Sequence, residues 1–320
     1  MDKTFRGAVN LLRVCARARQ RDRILVVTDL DSDPAIARTI TAAATSLGLE
    51  ATTVTMKTRA LPGDEPPEPV VAAMLASDIV ICPTYRTMYH TDARLSACKK
   101  GARFISMAGA TMSVLSSDAM LADFTKQEHV LDRVVAKMTQ AKIVRLTNPA
   151  GTDLQFSVRG RTAHGVPGFC KRRGDATGTP DIEAYVAPVE ESVNGTLMVD
   201  GSTSVTGVVD KPISIKIRRG RAVGIRGGKH VVRLQRMLEN ARKPSAFQVG
   251  EFGIGLNPKA RIRGAIIEDE GALGTAHIAL GDNTRLGGNN RAPLHVDLVM
   301  RRAVVELDGR MLLKRGNLYL

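Results

Sequence analysis

The C-terminal third of the sequence carries most of a set of side chains that could bind a metal ion. Two histidines and three carboxylates make a mixed nitrogen and oxygen donor set, which suits a divalent ion such as zinc, cobalt, manganese or iron. They stand in the segments DIEAYV, GEFGIGLNP, GTAHIALG and HVDLV. The five candidate ligands are Glu183, Glu251, His277, His295 and Asp297.

The spacing of His295 and Asp297 predicts the structure that carries them. Residues two apart point to the same face of a β-strand. On a helix they would stand about 200° apart and could not share an ion. The flanking alternation of Leu294, Val296 and Leu298 also indicates a strand.

The first part of the chain alternates short apolar runs with helix-forming segments. Strands are predicted at 24–28, 51–56, 79–83 and 103–109, and a helix with Asp33 as its N-cap and Pro34 at its first position follows the first strand. This alternation favours a mostly parallel sheet covered on both faces. We therefore predict a three-layer α/β domain over residues 1–145.

After Lys142 the helix signals become sparse, and β segments separated by DG and NG turns take over. We predict a largely antiparallel β (α+β) domain over residues 146–320, which carries the metal site and the catalytic groups. Within it, Lys216–Arg226 is predicted to form a hairpin with outward-facing basic residues. The acidic run Glu268–Glu270 is either a solvated loop, a contact for a substrate amine or a support for His277.

Composition limits the functional classes. The 320 residues have a net charge of +14, but aromatic residues make up only 3% and there is no tryptophan, so a stacking surface for nucleic acid is poorly supplied. The charge is therefore interpreted as a basic solvated surface. No apolar stretch approaches the roughly 20 residues of a membrane span, and the N-terminus lacks the features of a signal peptide. We predict a cytoplasmic protein with no membrane contact.

The segments GTDLQFSV, EAYVAPVEESVNGTL, GEFGIGLNPKARI, GTAHIALG and HVDLV, in this order, resemble the aminopeptidase T family of metallopeptidases. The resemblance covers most of the chain. It implies a site for two metal ions (zinc, cobalt or manganese) on the five candidate ligands, and a homodimer. The activity it implies is hydrolysis of an amide bond in a short peptide or small peptide-like substrate. Glu251 would carry the proton to the leaving amine.

One loop departs from that family. Its catalytic tyrosine would fall near Thr284, where Asn283 or Arg285 could donate a hydrogen bond instead. His164 is a further candidate for substrate contact, and Arg161 and Arg291 are candidates for holding a carboxylate by paired hydrogen bonds.

The same loop, GDNTRLGG, is similar to that of the 2,5-dihydroxypyridine 5,6-dioxygenases. That resemblance implies a single iron, two of whose ligands match His295 and Asp297. The third ligand falls at Glu251, where the dioxygenases have histidine, and they lack a counterpart of His277. Because ligands limit the possible metal chemistry, the main prediction is a metallohydrolase. The alternative is a non-haem iron dioxygenase that cleaves a hydroxylated heteroaromatic ring.

Overall fold

The computed structural model describes residues 2–320. These residues divide into two units. One comprises residues 2–125 with Val166–Ile182, and the other comprises Lys126–Gly165 with Glu183–Leu320. The segment Val166–Ile182 thus belongs with the N-terminal unit, although it follows residue 145 in the sequence. The domain division at residue 145 stays a prediction.

The first unit contains a five-stranded sheet in which every hydrogen-bonded pair is parallel, in the order β2-β1-β3-β4-β8. Every residue of β1, β3 and β4 is buried, as expected for a sheet covered on both faces. The strands are β1 (Ile24–Asp29), β2 (Ala51–Met56), β3 (Ile79–Cys82), β4 (Arg103–Ser106) and β8 (Ala176–Gly178).

The helices of this unit cover the sheet, and the predicted N-cap is confirmed. The Asp33 side chain accepts from the Ala35 backbone N–H at 2.9 Å, with Pro34 at the first helical position. The helices are α1 (Lys3–Asn10, continued by a π-helical turn at Leu11–Cys15), α2 (Pro34–Ser46), α3 (Glu68–Leu75), α4 (Asp92–Lys99) and α5 (Met112–Leu115), with a 3₁₀ turn at Asp118–Leu121. Helix α6 (Phe124–Gln140) lies almost entirely in the second unit.

The second unit is built on two sheets whose registered pairs are all antiparallel. The eight-stranded sheet has the order β14-β13-β10-β6-β5-β18-β19-β20. Its strands are β5 (Ile143–Thr147), β6 (Asp153–Ser157), β10 (Asn194–Val199), β13 (Ile213–Arg218), β14 (Arg221–Arg226), β18 (Val304–Leu307), β19 (Arg310–Lys314) and β20 (Asn317–Leu318). The predicted basic hairpin is confirmed as β13 and β14, with Lys216 and Arg218 exposed.

The seven-stranded sheet carries all five candidate ligands and has the order β12-β11-β17-β16-β15-β9-β7. Phe156 of β6 packs edge-on against Phe252 of β15, so the two sheets share apolar contacts. The strands are β7 (His164–Val166), β9 (Glu183–Val186), β11 (Ser202–Thr203), β12 (Gly207–Val208), β15 (Val249–Gly255), β16 (Ala276–Gly281) and β17 (His295–Met300). Helices α7 (His230–Asn240) and α8 (Ile266–Asp269) and 3₁₀ turns at Pro244–Phe247 and Thr284–Leu286 connect them.

The predicted fold class is confirmed: a parallel α/β unit is followed by a largely antiparallel β unit. Within residues 2–320, no helix combines the length and the apolar character needed to cross a membrane.

Candidate metal centre

Strand register brings four of the candidate ligands to one face of the seven-stranded sheet. Glu251 on β15 lies opposite Ala279 on β16, which lies opposite Asp297 on β17. Directly opposed residues of antiparallel strands point to the same side, and so do residues two apart on one strand. His277 and His295 each precede a member of this row by two residues and therefore share its face.

The fifth ligand reaches the same face from the neighbouring strand β9. Glu183 lies opposite Gly255, and Tyr185 lies opposite Gly253, which is itself opposite His277. Glu183 and Tyr185 therefore point to the side on which the histidines stand.

The side chains converge in two groups that share Glu251. His277 Nε2 lies 3.3 Å from Glu183 Oε2 and 3.3 Å from Glu251 Oε1. His295 Nε2 lies 3.2 Å from Glu251 Oε2 and 3.2 Å from Asp297 Oδ1. The two oxygens of Glu251 thus each face one imidazole nitrogen.

These separations fit a bound cation. Two donors that each stand about 2.1 Å from a divalent ion, at roughly right angles, lie about 3 Å apart. Ligand atoms of Glu183, Glu251 and His277 also lie within 4.8 Å of one another. Five donors, three of them carboxylates, therefore form a candidate site for a divalent ion.

The site is closed at one end and more open at the other. The His277 side chain is 1% exposed, whereas His295 is 27% and Asp297 is 16% exposed. A small molecule would reach an ion at the His295 end first.

The carboxylates make the site strongly attractive to positive charge. Burial alone would lower the pKa of His277, but the charges of Glu183 and Glu251 outweigh burial and raise this pKa to about 9. Asp297 and Glu251 likewise raise the pKa of His295 well above its ordinary value, against the effect of burial. Burial would raise the pKa of Glu251, but its hydrogen bonds to the two imidazoles hold it below the ordinary range.

The two imidazoles are oriented by different contacts. His295 Nδ1 lies 2.9 Å from the backbone oxygen of Asp282, and a proton donated there leaves Nε2 free to bind an ion. The buried Nδ1 of His277 has no hydrogen-bond partner within residues 2–320. Its ring lies over Gly253, where a Cβ atom would stand 2.2 Å from Nε2.

The other predicted site residues lie around the second unit with different exposures. Asn283 is fully buried and its amide donates to Glu190, whereas Thr284 and Arg285 are exposed. His164 is exposed, with its ring 5.6 Å from that of Tyr185. Their contact with substrate stays a prediction.

The interpretation of Glu268–Glu270 as a solvated loop is wrong. Glu268 and Asp269 are fully buried in the short helix α8. Asp269 accepts from the Arg263 backbone N–H at 2.7 Å, and Glu268 accepts from that of Arg261 at 3.1 Å. Buried carboxylates are expected where backbone donors satisfy them, and here they hold the chain at 261–264.

Arg161 does hold a carboxylate, but it is that of Glu190 within the protein. The sequence did not single out Glu190 or Asp282, because their contacts with Arg161, Asn283 and His295 form only in the folded chain. A signal existed for Gly253: alternate glycines after Glu251 in EFGIG indicate a strand face against which another group lies closely.

The structure thus combines a parallel α/β unit with a β unit that carries a cluster of histidines and carboxylates able to bind a metal ion. The family model described as NicX, 2,5-dihydroxypyridine 5,6-dioxygenase, matches residues 4–320, and the chain belongs to this family.

One sequence relative agrees with this assignment, and two solved structures share the fold. The chain is 23% identical over 260 residues to the 2,5-dihydroxypyridine 5,6-dioxygenase of Pseudomonas putida KT2440. The aligned region covers 77% of this chain and 72% of the relative. The solved structure of a 2,5-dihydroxypyridine dioxygenase from Pseudomonas putida KT2440 superposes with a TM-score of 0.80 at 20% identity, over 99% of this chain and 96% of that one. Wild-type AmpT from Thermus thermophilus superposes with a TM-score of 0.71 at 15% identity, over 99% of both chains.

The main functional prediction, a hydrolase related to aminopeptidase T, is therefore wrong. The family model that spans the chain is that of the dioxygenases, and the likeness to AmpT is one of fold. The five ligand types misled because the same donors suit several divalent ions and several reactions. The resemblance of the loop GDNTRLGG to that of the dioxygenases indicated the family that the family model shows.

Proposed function

We propose that this chain is an iron-dependent dioxygenase that opens the ring of a hydroxylated pyridine, with 2,5-dihydroxypyridine as the first compound to test. The proposal is supported by family membership over residues 4–320. The observation that carries it is the group at the open end of the site, where His295 Nε2 faces Glu251 and Asp297 at 3.2 Å.

In this proposal His295, Asp297 and Glu251 hold the ion. Non-haem oxygenases commonly bind iron with two histidines and one carboxylate and leave open positions. Here the second imidazole, His277, faces the other oxygen of Glu251. The three proposed ligands thus hold one imidazole and two carboxylates, and both donor types are compatible with ferrous iron. When bound, the iron would allow electrons to pass from the substrate ring to dioxygen.

The protein groups around the ion would position the reactants. The 27% exposure of His295 leaves an approach for a planar substrate, while the buried His277 side closes the other end against water. His277 Nε2–H would donate to Glu183 or Glu251 and keep their oxygens aimed at the site. Glu251 would bind the ion through Oε2, which faces His295, while Oε1 accepts from His277. Thr284, Arg285 and His164 are the proposed substrate contacts.

The test is metal-selective reconstitution. Metal-free protein is loaded anaerobically with ferrous iron, zinc, cobalt or manganese, and oxygen uptake is followed with 2,5-dihydroxypyridine. We expect uptake from the iron-loaded protein alone, and its loss in His295→Ala. The exposed helix residue His129 offers a matched control, since His129→Ala removes an imidazole away from the ligand strands. Iron-loaded protein that binds metal but leaves oxygen and substrate unchanged would remove the proposal.

A further inference from the structure

The loop between β16 and β17, residues 282–294, contacts the candidate site through the backbone oxygen of Asp282. The Asp282 oxygen accepts from His295 Nδ1 at 2.9 Å. That bond fixes both the rotation of the ring and the nitrogen that carries the proton, so Nε2 points toward Glu251 and Asp297. Any group that holds the Asp282 carbonyl in place therefore acts on the ion site.

Asp282 is held by its own loop. Its backbone N–H donates to the Leu294 oxygen at 2.8 Å, and its carboxylate accepts from the Thr284 hydroxyl at 2.8 Å and from the Ala292 N–H at 3.0 Å. The carbonyl therefore keeps its position only while both ends of the loop keep theirs.

The carboxylate of Glu190, which lies outside the loop, is hydrogen-bonded to residues in the middle of the loop. Glu190, in the turn after β9, accepts at Oε1 from the Asn289 N–H at 2.7 Å and from Asn283 Nδ2 at 3.1 Å. Its Oε2 is paired with the guanidinium of Arg161, which also donates to the Gly287 oxygen. Charge-assisted bonds of this kind are stronger than neutral ones.

Replacing the Glu190 carboxylate should cost free energy, because the side chains of Arg161 and Asn283, which donate to it, are largely buried. The Arg161 and Glu190 side chains are 11% and 23% exposed, and Asn283 is fully buried. Burial would raise the pKa of Glu190, but its donors hold that pKa below the ordinary value. Gly288 makes room for the network, since a Cβ there would stand 2.1 Å from Asn283 Cγ.

Other contacts also hold the loop. The side-chain amide of Asn290 donates to the Ser245 oxygen at 2.9 Å and to the Gly281 oxygen at 2.7 Å, and Leu286 and Leu294 are buried apolar side chains of the loop. The shape of the loop, and so the position of the Asp282 carbonyl, depends on this network more than on apolar packing.

We propose that Glu190 is a positioning residue for the ion site: through Arg161, Asn283 and Asn289 it holds the loop whose Asp282 carbonyl orients His295. The inference rests on the ion site of the proposed function. Loss of a group that orients a ligand typically weakens metal binding about 10- to 100-fold.

The neighbouring Glu191 supplies a matched control. It lies in the same turn and carries the same charge, but its side chain is 64% exposed and pairs with Arg219 rather than with the loop. Cobalt(II) affinity is measured by competition with a chelator and followed by visible absorption, for the alanine and glutamine variants of both residues. Thermal unfolding of each metal-free variant is recorded alongside.

We expect Glu190→Ala to weaken cobalt binding about 10- to 100-fold. Glu190→Gln should fall between it and the wild type, since one oxygen still accepts from Asn289, and both Glu191 variants should bind as the wild type does. A purely structural role would lower the unfolding temperature without changing the affinity of the folded protein. Equal affinity in the Glu190 and Glu191 variants would overturn the inference.

Two further measurements complete the test. If Glu190→Ala does not fold, Arg161→Lys, which keeps the charge but loses the paired geometry, should still weaken cobalt binding, and unchanged affinity there would refute the positioning role. Wild-type protein that binds cobalt yet consumes no oxygen with iron and 2,5-dihydroxypyridine would overturn the proposed function while leaving the Glu190 result valid.

Discussion

At the scale of single residues, Gly253 shapes the candidate site by lacking a side chain. The ring of His277 occupies the space where a Cβ would stand, 2.2 Å from its Nε2. The orientation of this imidazole depends on that space, since its Nδ1 has no hydrogen-bond partner within residues 2–320.

Gly253→Ala should therefore displace the His277 ring from Glu251 and weaken cobalt(II) binding by at least about tenfold, the effect expected when a group that orients a ligand is lost. Gly224 on β14 is a suitable control, because a Cβ there would meet only Lys216 Cβ at 3.9 Å. Chelator competition on both variants checks this, and unchanged affinity in Gly253→Ala would show that the ring can move without cost to the site.

The number of ions is a second prediction at this scale. With iron at His295, Asp297 and Glu251, elemental analysis should find about one iron per chain, and His277→Ala should retain it with affinity reduced about 10- to 100-fold. A second equivalent in the wild type that disappears in His277→Ala would instead mean that Glu183, Glu251 and His277 bind an ion of their own.

The five donors could be predicted from the sequence, because their residue types are those that bind metal ions and the spacing of His295 and Asp297 indicates a strand. The groups that orient these donors could not be predicted from the sequence. Asp282 acts through a backbone carbonyl that any residue could supply, and Glu190 acts through a loop more than ninety positions away in the chain.

At the scale of elements, alternation of apolar runs and helix signals was sufficient to predict the parallel sheet. It was not sufficient for β8, since the three residues Ala176–Gly178 show no periodic pattern, yet they pair in parallel with β4. Likewise, the charge of Glu268 and Asp269 indicated solvent, while their burial against backbone donors became visible only in the fold.

The start of β3 offers a test of element stability. Asp78 bonds Arg23 at 2.9 Å and Arg173 at 3.2 Å, and these bonds, the one to Arg23 first, lower its pKa from 3.8 to about 2. A lowered carboxylate pKa stabilises the folded state above the unfolded pKa, and this contribution is lost as the pH falls from about 4 toward 2.

Asp78→Asn should therefore reduce the free energy of unfolding by about 1 kcal/mol near neutral pH, the partners being largely exposed. The difference from the wild type should shrink toward about pH 2. Urea denaturation across this range checks both statements, and a difference that stays constant with pH would show that the carboxylate charge is not the cause.

At the scale of the whole molecule, the fold class could be inferred from the sequence, but the reaction could not. The same ligand types serve hydrolysis and oxygen chemistry, so the choice depended on a loop rather than on the donors. The net charge of +14 is consistent with attraction of an anionic small molecule. The homodimer and the cytoplasmic location stay predictions.

The most direct test of the account is isotope labelling of the product. Iron-loaded protein is given 2,5-dihydroxypyridine under ¹⁸O₂ in ordinary water, and the product is analysed by mass spectrometry. The account predicts a ring-opened product that carries both atoms of the labelled oxygen molecule. A product labelled only from H₂¹⁸O in the converse experiment would contradict it, because the new oxygen would then have come from water.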